Sequence, residues 1–275
     1  MSHRLLPGAA CLFCLCVLGS VAGAQERDRP DRIAGKPNLN GIWQAMNTAY
    51  WNLEGHSAQA LDRFWELGAI AAIPAGQSVL ADGGEIPYRP EALAKRDENR
   101  RGWPAADPEA NCYMPGIPRA TYMQYPFQIV QGEGDTILFA YTYANANRPV
   151  FMKSHEISPV DLWMGHSNGH WEGDTLVIEV DSNLEDTWLD RAGNHHSSAM
   201  RVTERYALID ENTMQYEATI DDPETFTRPW TIRMPLYRHR EENARLLEFN
   251  CVKFSEQLLY GEFMSRDAAK SAEGP

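Results

Sequence analysis

The chain is short of cysteine and of positive charge. It has five cysteines in 275 residues, and 25 Lys and Arg stand against 38 Asp and Glu, a formal net charge of −13. With its cations scattered, such a chain has no basic patch to displace counterions from phosphates, which argues against nucleic acid as a partner. The sequence has no Gly-rich phosphate loop and no internal repeat, and beyond its first two dozen residues it shows no HExxH or CxxC metal pattern. No stretch beyond those residues is long and apolar enough to span a bilayer, so no membrane span is expected.

Those first residues form a pattern of their own. Arg4 supplies a short positive region, Leu5 to Val21 an apolar run interrupted by Pro7 and Gly8, and Ala22-Gly23-Ala24 an A-x-A cleavage site. Residues 1–24 are therefore predicted as a signal peptide cleaved near Ala24, and the mature protein as periplasmic or extracellular. Cleavage removes Arg4, making the net charge −14, and takes Cys11, Cys14 and Cys16 with it. Cys112 and Cys251 remain, and in an oxidising compartment they are expected to pair. A loop that long is worth roughly 4–5 kcal/mol, as an upper figure. The ordinary alternative is two buried thiols.

What the chain has in quantity is aromatic side chains, with 8 Trp, 11 Tyr and 9 Phe. That content suits a β core or a pocket for flat, apolar ligands. Residues 25–38 are charged and read as a flexible leader. Residues 56–72 carry helical spacing at Leu61, Phe64, Trp65, Leu67 and Ile70, and a second helix opens at Pro90-Glu91 and runs to about Arg101. The charged face of the second helix, Lys95 to Arg101, reads as a solvated face. Residues 102–126 hold five prolines and form a long loop from which Arg119, Tyr122 and Tyr125 can project.

From Phe127 the pattern is β. Expected strands lie at 127–131, 136–143, 149–153, 167–171, 175–181, 201–209, 213–221, 230–238 and 246–252, with turns at Gly132–Asp135, Glu172–Asp174 and Asp210–Asn212. Sequential hairpins describe an antiparallel meander. The fold class is therefore mainly β, a lipocalin-like barrel with a sandwich as alternative and two short helices near the N-terminus. The single domain spans 39–264, with a helical and loop cap over 56–126 and a disordered tail at 265–275.

Gly41-x-Trp43 occurs at the first strand of lipocalin-like barrels. More broadly, Pro37–Trp43, Cys112–Arg119, Gly165–Val177 (GHSNGHWEGDTLV), His196–Tyr206 (HSSAMRVTERY) and Asp222–Trp230 (DPETFTRPW) together resemble a large family of secreted bacterial proteins of unassigned function. Ser198 and Met200 depart from that pattern, where an acid and a Leu are usual. The resemblance covers nearly the whole mature chain. It implies export and a β-rich, barrel-like fold, and it assigns no reaction.

Candidate chemistry therefore rests on the residues themselves. Glu204 shares the apolar face of its strand with Val202 and Tyr206, so it must pair with a cation, for which Arg119, Arg191 and Arg228 are candidates, or act as a desolvated acid/base. His195 or His196 can face a cavity, oriented by Asp190 as a general base; the ordinary alternative is a loop with surface histidines. His166 and His170 could contribute to a metal site, but no ligand pattern supports one, so no metal and no cofactor are expected. Gly165-x-Ser167-x-Gly169 resembles a nucleophile elbow, but a hairpin follows where a helix is required. The leading expectation is a cofactor-independent lyase, isomerase or cyclase acting on a small apolar or aromatic molecule. In it Glu204, His195, His196, Asp190 and Arg119 are catalytic, and Trp163, His166, His170, Trp188, Tyr122 and Arg191 hold the ligand. The alternative is a non-catalytic, lipocalin-like binding protein.

Overall fold

A computed structural model describes residues 31–61, 72–153, 157–253 and 255. The expected signal peptide, the start of the leader, the middle of the helix expected over 56–72 and the tail lie outside them.

The end of the expected leader is ordered. β1 (Arg32–Ile33) and β2 (Lys36–Pro37) form a hairpin. The Arg32 guanidinium pairs with Asp174 at 2.5 Å and Lys36 donates to the Gly173 carbonyl at 3.0 Å, so the hairpin is tied to a turn far along the chain. β3 (Gly41–Ala45) follows. The two ends of the expected 56–72 helix are instead strands, β4 (Gln59–Ala60) paired with β5 (Ala72–Ile73). Next come α1 (Pro90–Gly102) and the four-residue α2 (Arg119–Tyr122). The remaining strands are β6 (Phe127–Val130), β7 (Thr136–Tyr141), β8 (Asn147–Phe151), β9 (His166–Glu172), β10 (Thr175–Asp181), β11 (Arg201–Leu208), β12 (Thr213–Asp221) and β13 (Trp230–Arg238).

β3 and β6 to β13 close into a nine-stranded barrel in which neighbours in sequence are neighbours in space and β13 pairs back onto β3. The barrel is the outcome, and the sandwich is set aside. A closed ring with an odd number of strands cannot alternate direction all the way round, so at least one neighbouring pair must run parallel. That pair is β8 and β9, joined at Phe151 and Asn168. A parallel neighbour needs a crossover rather than a tight turn, and the connection over 152–165 supplies it. The expected strand at 246–252 is absent. This stretch has no regular structure and is held by the Cys112–Cys251 disulfide, whose Cα atoms lie 5.7 Å apart.

Strand alternation aims the core inward. On β12, Met214, Tyr216, Ala218 and Ile220 are buried while Gln215, Glu217 and Thr219 are half-buried on the outer face. The Gly-x-Trp at β3 has a steric reason. Arg238 stacks over the Trp43 ring at 4.0 Å and bonds to the Asn40 carbonyl, and a Cβ at Gly41 would meet its guanidinium at 2.0 Å.

The barrel interior is filled by side chains. Phe127, Phe139, Tyr141, Tyr206 and Tyr216 pack ring on ring, with centroids 5.0–6.1 Å apart. Among them lies one ion pair, Arg148 of β8 with Glu204 of β11, both fully buried. Tyr206 and Tyr216 donate to the other carboxylate oxygen at 2.9 and 2.8 Å, and Arg148 Nε donates to Ser167 Oγ at 2.7 Å. Burial favours loss of the Arg148 proton, but the Glu204 charge outweighs it and holds the guanidinium ionised. The partner of Glu204 is thus Arg148 and none of the three arginines expected.

Glu204→Gln should leave the Arg148 charge buried and unpaired, at a cost of about 3–5 kcal/mol, or roughly 10 °C in melting temperature for a chain of this size. Guanidinium unfolding monitored by tryptophan fluorescence measures it; a variant as stable as the parent would show that this pair does not hold the barrel.

Candidate binding cleft on the barrel cap

α1 begins with Pro90 in its first turn and Glu91 near the positive end of its dipole, and it ends with Arg100 and Arg101 in the last turn. Its last turns press on the loop before β11. Asn99 Nδ2 donates to the Gly193 carbonyl at 3.2 Å, and a Cβ at Gly193, where φ is +89°, would meet the Arg96 carbonyl oxygen and the Arg100 amide at 2.7 Å. Only glycine allows this approach.

Asp190 ties the same loop to the segment after β3. Its carboxylate accepts from the amides of Leu53 and Ala192, both at 2.9 Å, from the Asn194 amide at 3.3 Å and from Asn194 Nδ2 at 2.6 Å. Burial raises the Asp190 pKa to about 6 against the pull of these donors. The two segments it joins place Arg191 over the Trp51 ring at 4.5 Å and the Tyr50 ring at 5.3 Å. Trp51 in turn contacts Trp103, just beyond α1, with centroids 5.6 Å apart.

These pieces surround a cleft of about 770 Å³. Trp51 and Trp103 make its aromatic wall, Ala60, Leu61 and Ile73 an aliphatic one, and Arg100, Arg101 and Arg191 its cationic side. His56 also lines it, with Nδ1 bonded to the Glu54 carbonyl at 3.0 Å. Beneath lies a network of buried charges. Arg119 grips Asp107 with two bonds of 2.8 and 2.9 Å and reaches Glu109 at 2.6 Å, and Glu109 is also held by Arg191 at 2.5 and 2.9 Å. Burial works against the Glu109 charge, but Arg191 and Arg119 outweigh it and bring its pKa down to about 2. A smaller cavity of about 250 Å³ adjoins this network, sharing Trp103 and Arg191 with the cleft and walled by Phe249 to Val252.

The residues expected to act together do not meet. Asp190 bonds to amides and to neither histidine. His195 bonds through Nε2 to the Ala92 carbonyl at 2.9 Å. His196 is buried; its Nδ1 donates to the Ser197 carbonyl at 2.8 Å, leaving Nε2 to accept from the Thr187 hydroxyl at 2.6 Å. Burial lowers its pKa from 6.5 to about 4, so it is neutral. The reading of this pair as surface histidines therefore fails for His196. Arg119 is fully buried beneath the cleft, while Glu204 is inside the barrel.

Of the residues expected to hold ligand, Arg191 alone lines either cavity. Tyr122 is buried and donates to the Leu189 carbonyl at 2.8 Å, and Trp188 is buried. Trp163 stacks on Tyr113, centroids 4.8 Å apart, and His166 on Phe151 at 5.3 Å. His170 pairs with Glu172 at 3.3 Å. Among the described residues no group of three or more His, Cys, Asp or Glu is placed to hold a metal ion, and no helix is long and apolar enough to cross a membrane. Trp51, Trp103, Arg100 and Arg101 escaped the sequence expectations. The two arginines read as part of a solvated helix face, and their signal was Arg-Arg-Gly-Trp-Pro, a cationic helix end running straight into an aromatic.

No protein-family model, curated protein or solved structure matches the chain.

The pKa shifts carry opposite signs. In acid an unfolded His196 takes up a proton near pH 6.5 that the folded one refuses until about 4, so stability falls as pH drops through that window. Asp190 does the reverse, since its folded form binds a proton from about pH 6 down and the unfolded one only near 3.8. The two offset each other, and Glu109 removes stability lower still, between 4.5 and about 2. His196→Gln should therefore gain about 2–3 kcal/mol relative to the parent between pH 7 and pH 4. Denaturant titrations of both proteins across this range measure the difference; a constant gap would refute the assignment.

Proposed function

We propose that this protein is an exported, non-catalytic binding protein of lipocalin-like type. In this proposal it holds a small apolar or aromatic molecule in the cleft on the barrel cap, not inside the barrel. One observation carries the proposal: a cleft of about 770 Å³ walled by Trp51, Trp103, Leu61 and Ile73, beside a barrel whose interior is occupied by its own side chains. That volume lies in the range of small-molecule sites, and a mostly apolar wall with a few polar groups is what such sites present. Export is supported by the N-terminal pattern of residues 1–24 and by the Cys112–Cys251 disulfide, which fits an oxidising compartment.

Binding is favoured over turnover by the state of the groups that acid–base chemistry would use. Glu204 is paired with Arg148, His196 is bonded at both ring nitrogens, and Asp190 takes up four hydrogen-bond donors. A general base must reach the proton it abstracts, and none of these groups lines the cleft.

Titration with the neutral fluorophore N-phenyl-1-naphthylamine should give saturable binding that quenches tryptophan emission. Trp103→Ala, which removes a half-buried ring from the cleft wall, should weaken it about tenfold or more, as loss of an aromatic anchor does. Binding that is indifferent to Trp103 and Trp51 would move the site elsewhere. Mass spectrometry that finds a bound ligand chemically altered would replace the binding protein with an enzyme.

A further inference from the structure

If the cap cleft is the ligand site, its charge names the ligand more narrowly, and we infer that it recognises an aromatic carboxylate through the guanidinium groups of Arg100 and Arg101.

The chain as a whole repels anions, with a net charge of −13. The cleft is the local exception. Three arginines line it, and no Asp or Glu appears among its described lining residues. The three are not equivalent. Arg191 gives two bonds to Glu109, so its charge is matched inside the protein. Arg100 and Arg101 are exposed, and among the described residues their side chains have no hydrogen-bond or ion-pair partner. Two unmatched guanidinium groups beside Trp51 and Trp103 offer planar, two-pronged donors next to a flat apolar surface. A ring carrying a carboxylate meets both at once, whereas a neutral hydrocarbon would leave the charges unused.

Arginines in a last helical turn also offset the helix dipole, and that role requires no ligand. A matched pair of compounds separates the two explanations. Isothermal titration at low salt should show 2-naphthoate binding about tenfold more tightly than its neutral isostere 2-naphthamide. Arg100→Gln/Arg101→Gln should remove that advantage and leave naphthamide affinity as it was, and raising ionic strength from about 0.05 M to about 0.5 M should weaken naphthoate alone. The double variant should keep its fold because neither side chain has a partner to lose among the described residues, and circular dichroism checks this. Equal binding of both compounds would overturn the carboxylate preference while leaving the cleft as the ligand site. So would a naphthoate advantage that survives in the double variant. If neither compound binds, the cleft itself is refuted as a site for aromatic ligands, and the carboxylate preference goes with it.

Discussion

Arg148 and Glu204 face each other across the inside of a closed barrel, on strands three places apart in the ring, and the interior is arranged around them. A charge pair in an apolar core has to be satisfied on every side or it destabilises the fold. Tyr206 and Tyr216 donate to the carboxylate, Ser167 accepts from the guanidinium, and the Phe139 ring lies under that guanidinium at 5.5 Å. Meeting that demand fills the barrel. A barrel of this size can hold a small ligand or its own side chains, and here the side chains occupy it. The larger open space lies outside the barrel, in the cleft of about 770 Å³ lined by Trp51 and Trp103.

The cap obeys the same rule with a second set of charges. Residues 102–126 form almost no regular structure, so their backbone and polar side chains cannot rely on a ladder of their own. Asp107 and Glu109 instead draw in Arg119 and Arg191, the Tyr143 hydroxyl bonds the Glu109 carbonyl at 2.6 Å, and the disulfide fastens the C-terminal segment to the same loop. Asp190 performs the corresponding task between the loops on either side. Asp190 and Arg119, which read in the sequence as candidates for chemistry, are bonded into these irregular segments. They also orient Arg191 and Trp51 at the cleft.

Strand positions were legible because their signal is local. β12 shows its alternation in nine consecutive residues, and β10, β12 and β13 begin and end where the pattern says. α1 announces itself by Pro90 and Glu91. The two ends of the helix expected over 56–72 show the limit of that logic, because Gln59–Ala60 and Ala72–Ile73 pair with each other as strands. The segment 246–252 shows it too, since its apolar residues found no sheet edge in a ring already closed by β13 and β3. The candidate site was legible only at Arg191. Trp51 and His56 share no local pattern with Arg100 and Trp103, and nothing in a helix face distinguishes an arginine pointing to open solvent from one lining a cleft.

By itself the sequence determined a mainly β chain of successive hairpins and an inward place for Glu204, and it made Cys112–Cys251 the expected disulfide that the structure then shows. The first two follow from rules acting over a few residues, and the third from the expected loss of the other cysteines with residues 1–24. Tertiary structure alone decided that Glu204 meets Arg148, that β8 and β9 run parallel, and that a cleft opens where three distant segments converge. Those outcomes depend on ring closure and on how irregular segments settle against it, and the energies that fix them are summed over contacts between residues far apart in the chain.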